Sequence, residues 1–337
     1  MQVVVCRTPG QLVIEDRPEP QRAQNEVLVQ IRRVGICGTD FHIYEGTHPY
    51  LEYPRVMGHE ISAEVLKAPE LSDLKPGQIV VVNHYISCGA CRACRSGKPN
   101  CCSRIAVLGV HRDGGMGERM SIPQENLYPA RSLSIDQAAG IEFLAIGAHG
   151  VSRSGMRRGT RTLVVGAGPI GLGVAVFAEI AGGEVTILDR DRARVEFAVN
   201  ALGIRKSIVA GEDVLDAVAE ATEGEGFDLV IEATGNPASM ESGFAYVAHG
   251  GVYVLVSVVN ERLAFFDPEF HKREMAVLGT RNALREDFEC VIKAVETGRA
   301  PLDRLITHRT SLIGAIGDLP RWTTEKQGLV KALIEVS

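Results

Sequence analysis

The sequence predicts an α/β fold in which a doubly wound parallel-sheet domain is inserted into a β domain built from both chain ends. Residues 1–150 consist of short strand-like segments separated by Gly and Pro. From about residue 158, apolar strands alternate with helical segments, and a glycine-rich turn joins the first strand to the first helix. This alternation is typical of a parallel sheet with crossover helices. We therefore predict a β domain of residues 1–150 and 284–337 and an α/β domain of residues 151–283.

The first region reads as a series of short strands. "NEVLVQIRRVGIC" alternates apolar and polar positions, which is the strand period. "MGHEISAEVL" has similar character, and "KPGQIVVVNH" is a turn followed by an apolar strand. Many short strands of this kind predict a barrel-like β domain.

The second region contains six apolar strands, most of them separated by helices. The strands are "TLVV", "GEVTILD", "KSIVA", "FDLVIEAT", "GGVYVLVSV" and "EMAVLGT". The helices are "PIGLGVAVFAEIAG", "RARVEFAVNALG", "EDVLDAVAEATEG" and "PASMESGFAYVA", and a further helix, "REDFECVIKAVETG", follows the last strand. This order predicts a doubly wound sheet.

Composition narrows the class of protein. The chain has 337 residues, 45 % apolar content and a formal charge of −6. No run of eighteen apolar residues predicts a membrane span, and the N-terminus lacks the features of a signal peptide. We therefore expect a cytoplasmic protein without a membrane partner, and the acidic balance argues against a nucleic-acid partner.

Five of the eight cysteines lie in "CGACRACRSGKPNCC". In a reducing compartment such a cluster favours metal binding over disulfides, and four thiolates suit a closed, structural zinc site. Cys88, Cys91 and Cys94 supply three ligands, and the spacing leaves Cys101 and Cys102 open as the fourth. Free surface thiols or a redox pair are the alternatives.

A second, different set of metal-binding residue types lies elsewhere. "GICGTDFH" contains Cys37, and "GHE" contains His59 and Glu60. A thiolate, an imidazole and a carboxylate can hold zinc and leave one position for water or substrate. Glu142 lies in the otherwise apolar "AAGIEFLAIGAHG" and is either a buried carboxylate with a partner or an exposed helix residue.

"VVGAGPIGLG" has the GxGxxG spacing between a strand and a helix, as in the Rossmann dinucleotide fold. Gly166 permits the tight turn, Gly168 the approach of a pyrophosphate, and Gly171 close helix–strand packing. Asp189 ends the next strand, and a carboxylate there favours NAD over NADP. Three following arginines keep NADP as an alternative: Arg190, Arg192 and Arg194.

These motifs together resemble the medium-chain, zinc-containing alcohol dehydrogenases, and most closely the polyol, threonine and sugar-acid branch. The resemblance runs nearly end to end and rests on "GICGTDFH", "GHE", the cysteine cluster, "GAGPIGLG" and Asp189. It implies that the β domain is GroES-like and carries both zinc sites, and that residues 151–283 are a Rossmann domain that binds NAD. "GVHRDGG" and "DPEFHKREMAVLGTRNA" look most like dehydrogenases of the L-galactonate type.

The resemblance also implies roles for residues. The metal ligands would be Cys37, His59, Glu60 and Glu142 at a catalytic zinc, with the two glutamates alternating between direct and indirect roles, and Cys88, Cys91, Cys94 and Cys102 at a structural zinc. The proton relay would be Thr39 and His42; the cofactor residues would be Gly166, Gly168, Pro169, Ile170, Gly171, Asp189 and Arg194; the substrate residues would be Glu142 and Arg281, with His111 or Arg112 as weaker candidates.

The implied activity is zinc- and NAD-dependent oxidation of a secondary alcohol of a sugar acid or polyol, with two Zn²⁺ per chain. Threonine-type and sorbitol-type dehydrogenases are the alternatives within the branch. A zinc-free reductase on the same scaffold and a non-catalytic, zinc-stabilised NAD-sensing protein are the alternatives outside it. Family likeness further implies a homodimer or homotetramer and a small-molecule alcohol as partner.

Overall fold

The computed structural model of the chain describes residues 1–336, which form two compact units. The first unit comprises residues 1–142, 291–298 and 305 onward. The second comprises residues 143–290 and 299–304. The chain thus passes from the first unit to the second after residue 142 and returns at residue 291. Residues 299–304 belong again to the second unit.

The first unit consists mainly of strands, and in the second unit most strands are followed by a helix. Within the described residues the strands are β1 (Gln2–Thr8), β2 (Gln11–Asp16), β3 (Glu26–Ile36), β4 (Arg55–Val56), β5 (Glu60–Lys67), β6 (Ile79–Val82), β7 (Tyr85–Ile86), β8 (Ala106–Val107), β9 (Arg119–Pro123), β10 (Leu127–Pro129), β11 (Arg161–Val165), β12 (Glu184–Asp189), β13 (Lys206–Val209), β14 (Phe227–Glu232), β15 (Val247–Leu255), β16 (Ala276–Gly279), β17 (Ile306–Ser311) and β18 (Lys331–Glu335). The α-helices are α1 (Gly38–Glu45), α2 (Arg92–Arg95), α3 (Ile135–Ala139), α4 (Ile141–Ser154), α5 (Pro169–Ile180), α6 (Arg192–Leu202), α7 (Val214–Thr222), α8 (Pro237–Ser242), α9 (Asp267–Lys272), α10 (Arg285–Glu296) and α11 (Ala315–Thr324).

The first unit is built on a seven-stranded sheet of order β10-β6-β5-β3-β18-β17, with β9 also paired to β3. All its pairs are antiparallel except β17 with β18. Alternate residues of β3, among them Val27, Val29 and Ile31, are buried in its core, as the strand period of two requires. Smaller sheets of order β2-β1-β4 and β7-β8 complete the unit.

The second unit contains a six-stranded sheet of order β13-β12-β11-β14-β15-β16, and every pair is parallel. The order reverses between β11 and β14, which is the point where doubly wound sheets bind ligands. The doubly wound sheet and its six strands are therefore confirmed.

One predicted element is wrong in its extent. "PASMESGFAYVA" was expected to be a single helix, but α8 ends at Ser242 and a 3₁₀ turn covers Gly243–Tyr246. Gly243 is a poor helix former, and a Cβ at this position would collide with the Tyr253 hydroxyl. Val247 then begins β15, so tertiary packing overrides the helical period.

In residues 1–336, none of the helices combines the length and the apolar character that a membrane crossing requires.

Candidate metal centres and dinucleotide loop

Cys37, His59 and Glu60 come together in the first unit, with one ligand atom from each lying within 4.8 Å of the others. Cys37 follows β3, His59 directly precedes β5 and Glu60 begins it, and the antiparallel register pairs Gly35 with Glu60. A Cβ on Gly35 would collide with Glu60 Oε2, so the missing side chain lets the carboxylate lie across β3. Strand register thus assembles the three predicted ligands.

Lys331, which sequence reasoning missed, is the cationic partner of Glu60. It begins β18, the neighbour of β3 on the side opposite β5, and its Nζ lies 2.6 Å from Glu60 Oε1 and 3.1 Å from Ile36 O. Both side chains are buried. Burial disfavours the ammonium, but the negative charges of Glu60, Cys37 and Glu142 together outweigh it and raise the pKa of Lys331. Glu60 Oε2 has no hydrogen-bond partner within residues 1–336.

Asp40 contacts the residues of the same metal site. Its carboxylate is buried and accepts hydrogen bonds from Cys37 N (2.9 Å) and Gly58 N (3.2 Å), and Oδ1 lies 3.8 Å from His59 Nδ1. Burial by itself lowers the pKa of His59, but the negative charges of Asp40 and Cys37, with Glu142, raise it to about 10. The site therefore attracts positive charge.

These observations fit a bound zinc ion. The donor set is one soft thiolate, one imidazole and one carboxylate, the combination that zinc accepts at open sites. Glu60 Oε2 is a buried acceptor without a protein donor among the described residues, and the surrounding charge favours a cation. Cys37, His59 and Glu60 would hold the ion.

Glu142 lies beside this set but is not a member of it. It is buried on α4, and Tyr85 donates a hydrogen bond of 2.8 Å from its hydroxyl to Glu142 Oε1. His84 Nδ1 lies 3.8 Å from the same oxygen. Burial, with the nearby charge of Glu60, raises the pKa of Glu142 to about 7. The buried alternative of the sequence prediction is thus the one observed, with Tyr85 as the partner.

Thr39 and His42 both lie on α1, one helical turn apart. Thr39 Oγ1 is 3.9 Å from Cys37 Sγ, next to the metal donors. His42 is exposed, and its Nδ1 lies 3.0 Å from Thr47 Oγ1. Thr39 therefore belongs to the interior of the site and His42 to its surface.

The cysteine loop forms a second cluster. Cys88, Cys91, Cys94 and Cys102 bring their sulfurs within 4.8 Å of one another, whereas Cys101 is exposed and outside the set. Backbone N–H groups donate to the thiolates, with Cys88 N 3.3 Å from Cys102 Sγ and Cys91 N 3.4 Å from Cys88 Sγ. Such hydrogen bonds lower the pKa of Cys91 to about 5 and of Cys88 to about 7. Four convergent sulfurs, some of them acidified, fit a structural zinc.

The glycine turn follows β11 at the carboxyl edge of the parallel sheet. Gly166 has φ +102°, which favours glycine, and Gly168 precedes α5, whose first turn contains Pro169 and Ile170. A Cβ on Gly171 would collide with Gly166 O, so helix and turn pack too closely for any side chain. The N-terminus of α5 can therefore receive a pyrophosphate.

Asp189, at the end of β12, holds this turn. Its Oδ2 accepts from Ala167 N at 2.7 Å and its Oδ1 accepts from Asp191 N at 2.9 Å. A carboxylate has further lone pairs, so it can still accept from ribose hydroxyls. Arg194 is on α6, and its Nε lies 3.8 Å from Oδ2 of Asp191, the residue that precedes this helix. Arg281 is exposed and follows β16.

Two protein-family models match the chain, one mainly in the first unit and one mainly in the second. The family model "Alcohol dehydrogenase GroES-like domain" matches residues 23–132, and "Zinc-binding dehydrogenase" matches residues 169–297. L-galactonate-5-dehydrogenase of Escherichia coli K12 is 41 % identical over 336 residues, covering 99 % of this chain and 98 % of the relative. The chain belongs to the medium-chain zinc-binding alcohol dehydrogenase family, and it is an oxidoreductase with a GroES-like domain and a Rossmann domain.

Two further relatives bear on cofactor and substrate. L-threonine 3-dehydrogenase of Bacillus licheniformis is 33 % identical over 301 residues, covering 87 % of this chain and 86 % of the relative. The crystal structure of an alcohol dehydrogenase, RspB of E. coli CFT073, complexed with NADH superposes with a TM-score of 0.93 at 28 % identity, covering 100 % of this chain and 99 % of that one.

Four residues of the metal site carried no assigned role in the sequence: Asp40, His84, Tyr85 and Lys331. Asp40 lies within "GICGTDFH", and its position three residues after Cys37 was a usable capping signal. His84 and Tyr85 precede the cysteine loop, and Lys331 is 271 residues from Glu60, so no local pattern points to them.

Proposed function

We propose that this protein oxidises a secondary hydroxyl of a sugar acid of the L-galactonate type to a ketone, with zinc at Cys37, His59 and Glu60 and with NAD as the hydride acceptor. The observation that carries the proposal is the donor set of half-buried Cys37 with buried His59 and Glu60, in which Glu60 Oε2 has no donor among the described residues. The likeness to L-galactonate-5-dehydrogenase over nearly the whole chain supports the substrate class.

When bound, zinc supplies Lewis-acid activation of the alcohol and NAD accepts the hydride, so that alcohol and NAD⁺ give ketone, NADH and one proton. Lys331 holds Oε1 of Glu60, which leaves Oε2 for the ion. Thr39 Oγ1, next to Cys37, takes the proton of the substrate hydroxyl and passes its own towards His42.

In one arrangement of its hydrogen bond to Thr47, His42 has a basic nitrogen that can release that proton. Thr47 Oγ1 lies 3.4 Å from His42 O and 3.0 Å from His42 Nδ1. A hydroxyl has one proton, so when it donates to the carbonyl its oxygen accepts from Nδ1–H. The exposed Nε2 is then the basic nitrogen and exchanges with water.

The carboxylate of an anionic substrate needs a cationic partner near the metal site. Burial lowers the pKa of His48, and the positive charges of His42, His111 and His59 lower it further. A lowered pKa favours the neutral form of His48, and His59 is also neutral when it binds a metal ion, which leaves His111 as a candidate cation. Arg281 is a further candidate for this role.

NAD is proposed over NADP because Asp189 would repel a 2′-phosphate while accepting from ribose hydroxyls. Arg190, Arg192 and Arg194 follow Asp189 and would favour NADP if they reached the phosphate. Both cofactors therefore belong in the test.

The test is a panel of hexonates, polyols and L-threonine with NAD and with NADP, followed by NADH absorbance. We expect the highest kcat/KM for L-galactonate, or for a hexonate similar to it, with NAD. Cys37→Ser should abolish turnover and retain NAD binding in a titration. Preference for L-threonine would instead favour the activity named for the 33 % identical relative. NAD binding without turnover of any alcohol would favour the NAD-sensing alternative.

A further inference from the structure

Two of the buried carboxylates at the metal site, Glu60 and Glu142, differ in their hydrogen-bond partners. Glu60 has its Oε1 bound to Lys331, and its Oε2 has no donor in the described part of the chain. Glu142 has its Oε1 bound to the Tyr85 hydroxyl at 2.8 Å. Only Glu60 joins Cys37 and His59 in the set of close donor atoms.

Tyr85 is rigidly placed for this contact. Asn83 Oδ1 accepts from Tyr85 N at 3.0 Å, and Asn126 Nδ2 donates to the carbonyl oxygens of Asn83 (2.7 Å) and Tyr85 (3.0 Å). The phenol ring lies against His84, with ring centroids 3.7 Å apart. The backbone hydrogen bonds and the ring contact with His84 thus direct the hydroxyl towards Glu142.

His84 does not make this contact. Its Nδ1 lies 3.8 Å from Glu142 Oε1, which is beyond hydrogen-bond distance. Among residues 1–336, Tyr85 is therefore the hydrogen-bond donor to the Glu142 side chain.

We propose that Tyr85 is a positioning residue that keeps Glu142 outside the ligand set, so that Glu60 is the carboxylate ligand and one coordination position stays open for the alcohol. A catalytic zinc needs three protein ligands and an open position. An untethered carboxylate so close to a dication would be drawn to it and close that position. The inference rests on the proposed function only through the metal ion at Cys37, His59 and Glu60.

The first test uses cobalt(II) in place of zinc, because its visible spectrum reports coordination number and geometry. The spectrum of Cys37→Ser, which keeps the four-cysteine site alone, is subtracted. Tyr85→Phe should shift the d–d bands as Glu142 takes the open position on the ion, and Tyr85→Phe/Glu142→Gln should restore the wild-type bands. Tyr253→Phe, which removes a buried hydroxyl of the second unit, should change nothing.

The second measurement is the rate of metal release to a chelator. Tyr85→Phe should release the ion more slowly than the wild-type protein, because a fourth protein ligand is gained. Glu142→Gln by itself should leave both spectrum and release rate at wild-type values, and this variant tests the proposal even if Tyr85→Phe fails to fold.

The outcomes are distinct. A changed cobalt spectrum in Glu142→Gln, or an unchanged one in folded Tyr85→Phe, overturns the role of Tyr85. Faster release from Tyr85→Phe that Glu142→Gln does not reverse shows a merely structural tyrosine and also overturns it. A wild-type protein without a cobalt–thiolate band that depends on Cys37 overturns the metal site, and with it the proposed function.

Discussion

Lys331 should add several kcal/mol to the free energy of unfolding of the metal-free protein. Its ammonium lies 2.6 Å from Glu60 Oε1, and both groups are buried. Lys331→Met keeps the apolar chain and removes the charge, so Glu60 is left buried without a cation. Breaking one side of a buried ion pair costs about 3–5 kcal/mol. This is a large part of a typical folding free energy of about 5–15 kcal/mol.

The chain offers a local reporter for this experiment. Trp322 is the single tryptophan and is buried in the core of the first unit, which also contains Lys331. Its fluorescence during urea unfolding therefore reports that unit. Lys67→Met, at the exposed end of β5, is the matched control and should shift the midpoint little.

A double-mutant cycle separates charge from packing. Lys331→Met/Glu60→Gln should recover most of the lost stability, because no unpaired carboxylate remains. Zinc should also reduce the cost of Lys331→Met, since the ion compensates the charge of Glu60. A cost below about 1 kcal/mol in the metal-free protein, or an equal cost with and without Glu60→Gln, would refute the reasoning.

Three further predictions follow from the same structure. Cys94→Ser should release about one metal equivalent and lower the melting temperature, whereas Cys101→Ser, outside the cluster, should do neither; metal analysis and calorimetry decide. Gly171→Ala should abolish NAD binding in a fluorescence titration, because its Cβ collides with Gly166 O; retained affinity would contradict this packing. The raised pKa of Glu142 should make the metal-free protein lose stability as pH rises from about 4.5 to about 7, since the folded state favours the protonated acid. Glu142→Gln should remove that dependence in urea titrations at several pH values, and an unchanged slope would count against it.

Local patterns were sufficient for much of the fold and of the site. The apolar strands and helices from residue 158 onward predicted the six-stranded parallel sheet because their periods reflect burial within each element. Cys88, Cys91 and Cys94 are close in sequence, so a short loop can bring their sulfurs together without help from the rest of the chain. The same holds for Gly166 and Gly171, where backbone geometry within one turn decides the residue type.

Tertiary structure decided how the buried charges of the metal site are compensated. Glu60 meets Lys331 because β5 and β18 flank β3 and because Gly35 has no side chain to separate them. Glu142 meets Tyr85, 57 residues away, through packing that no periodicity encodes. A sequence specifies ligand types and short spacings, but the partners of a buried charge depend on which distant strands become neighbours.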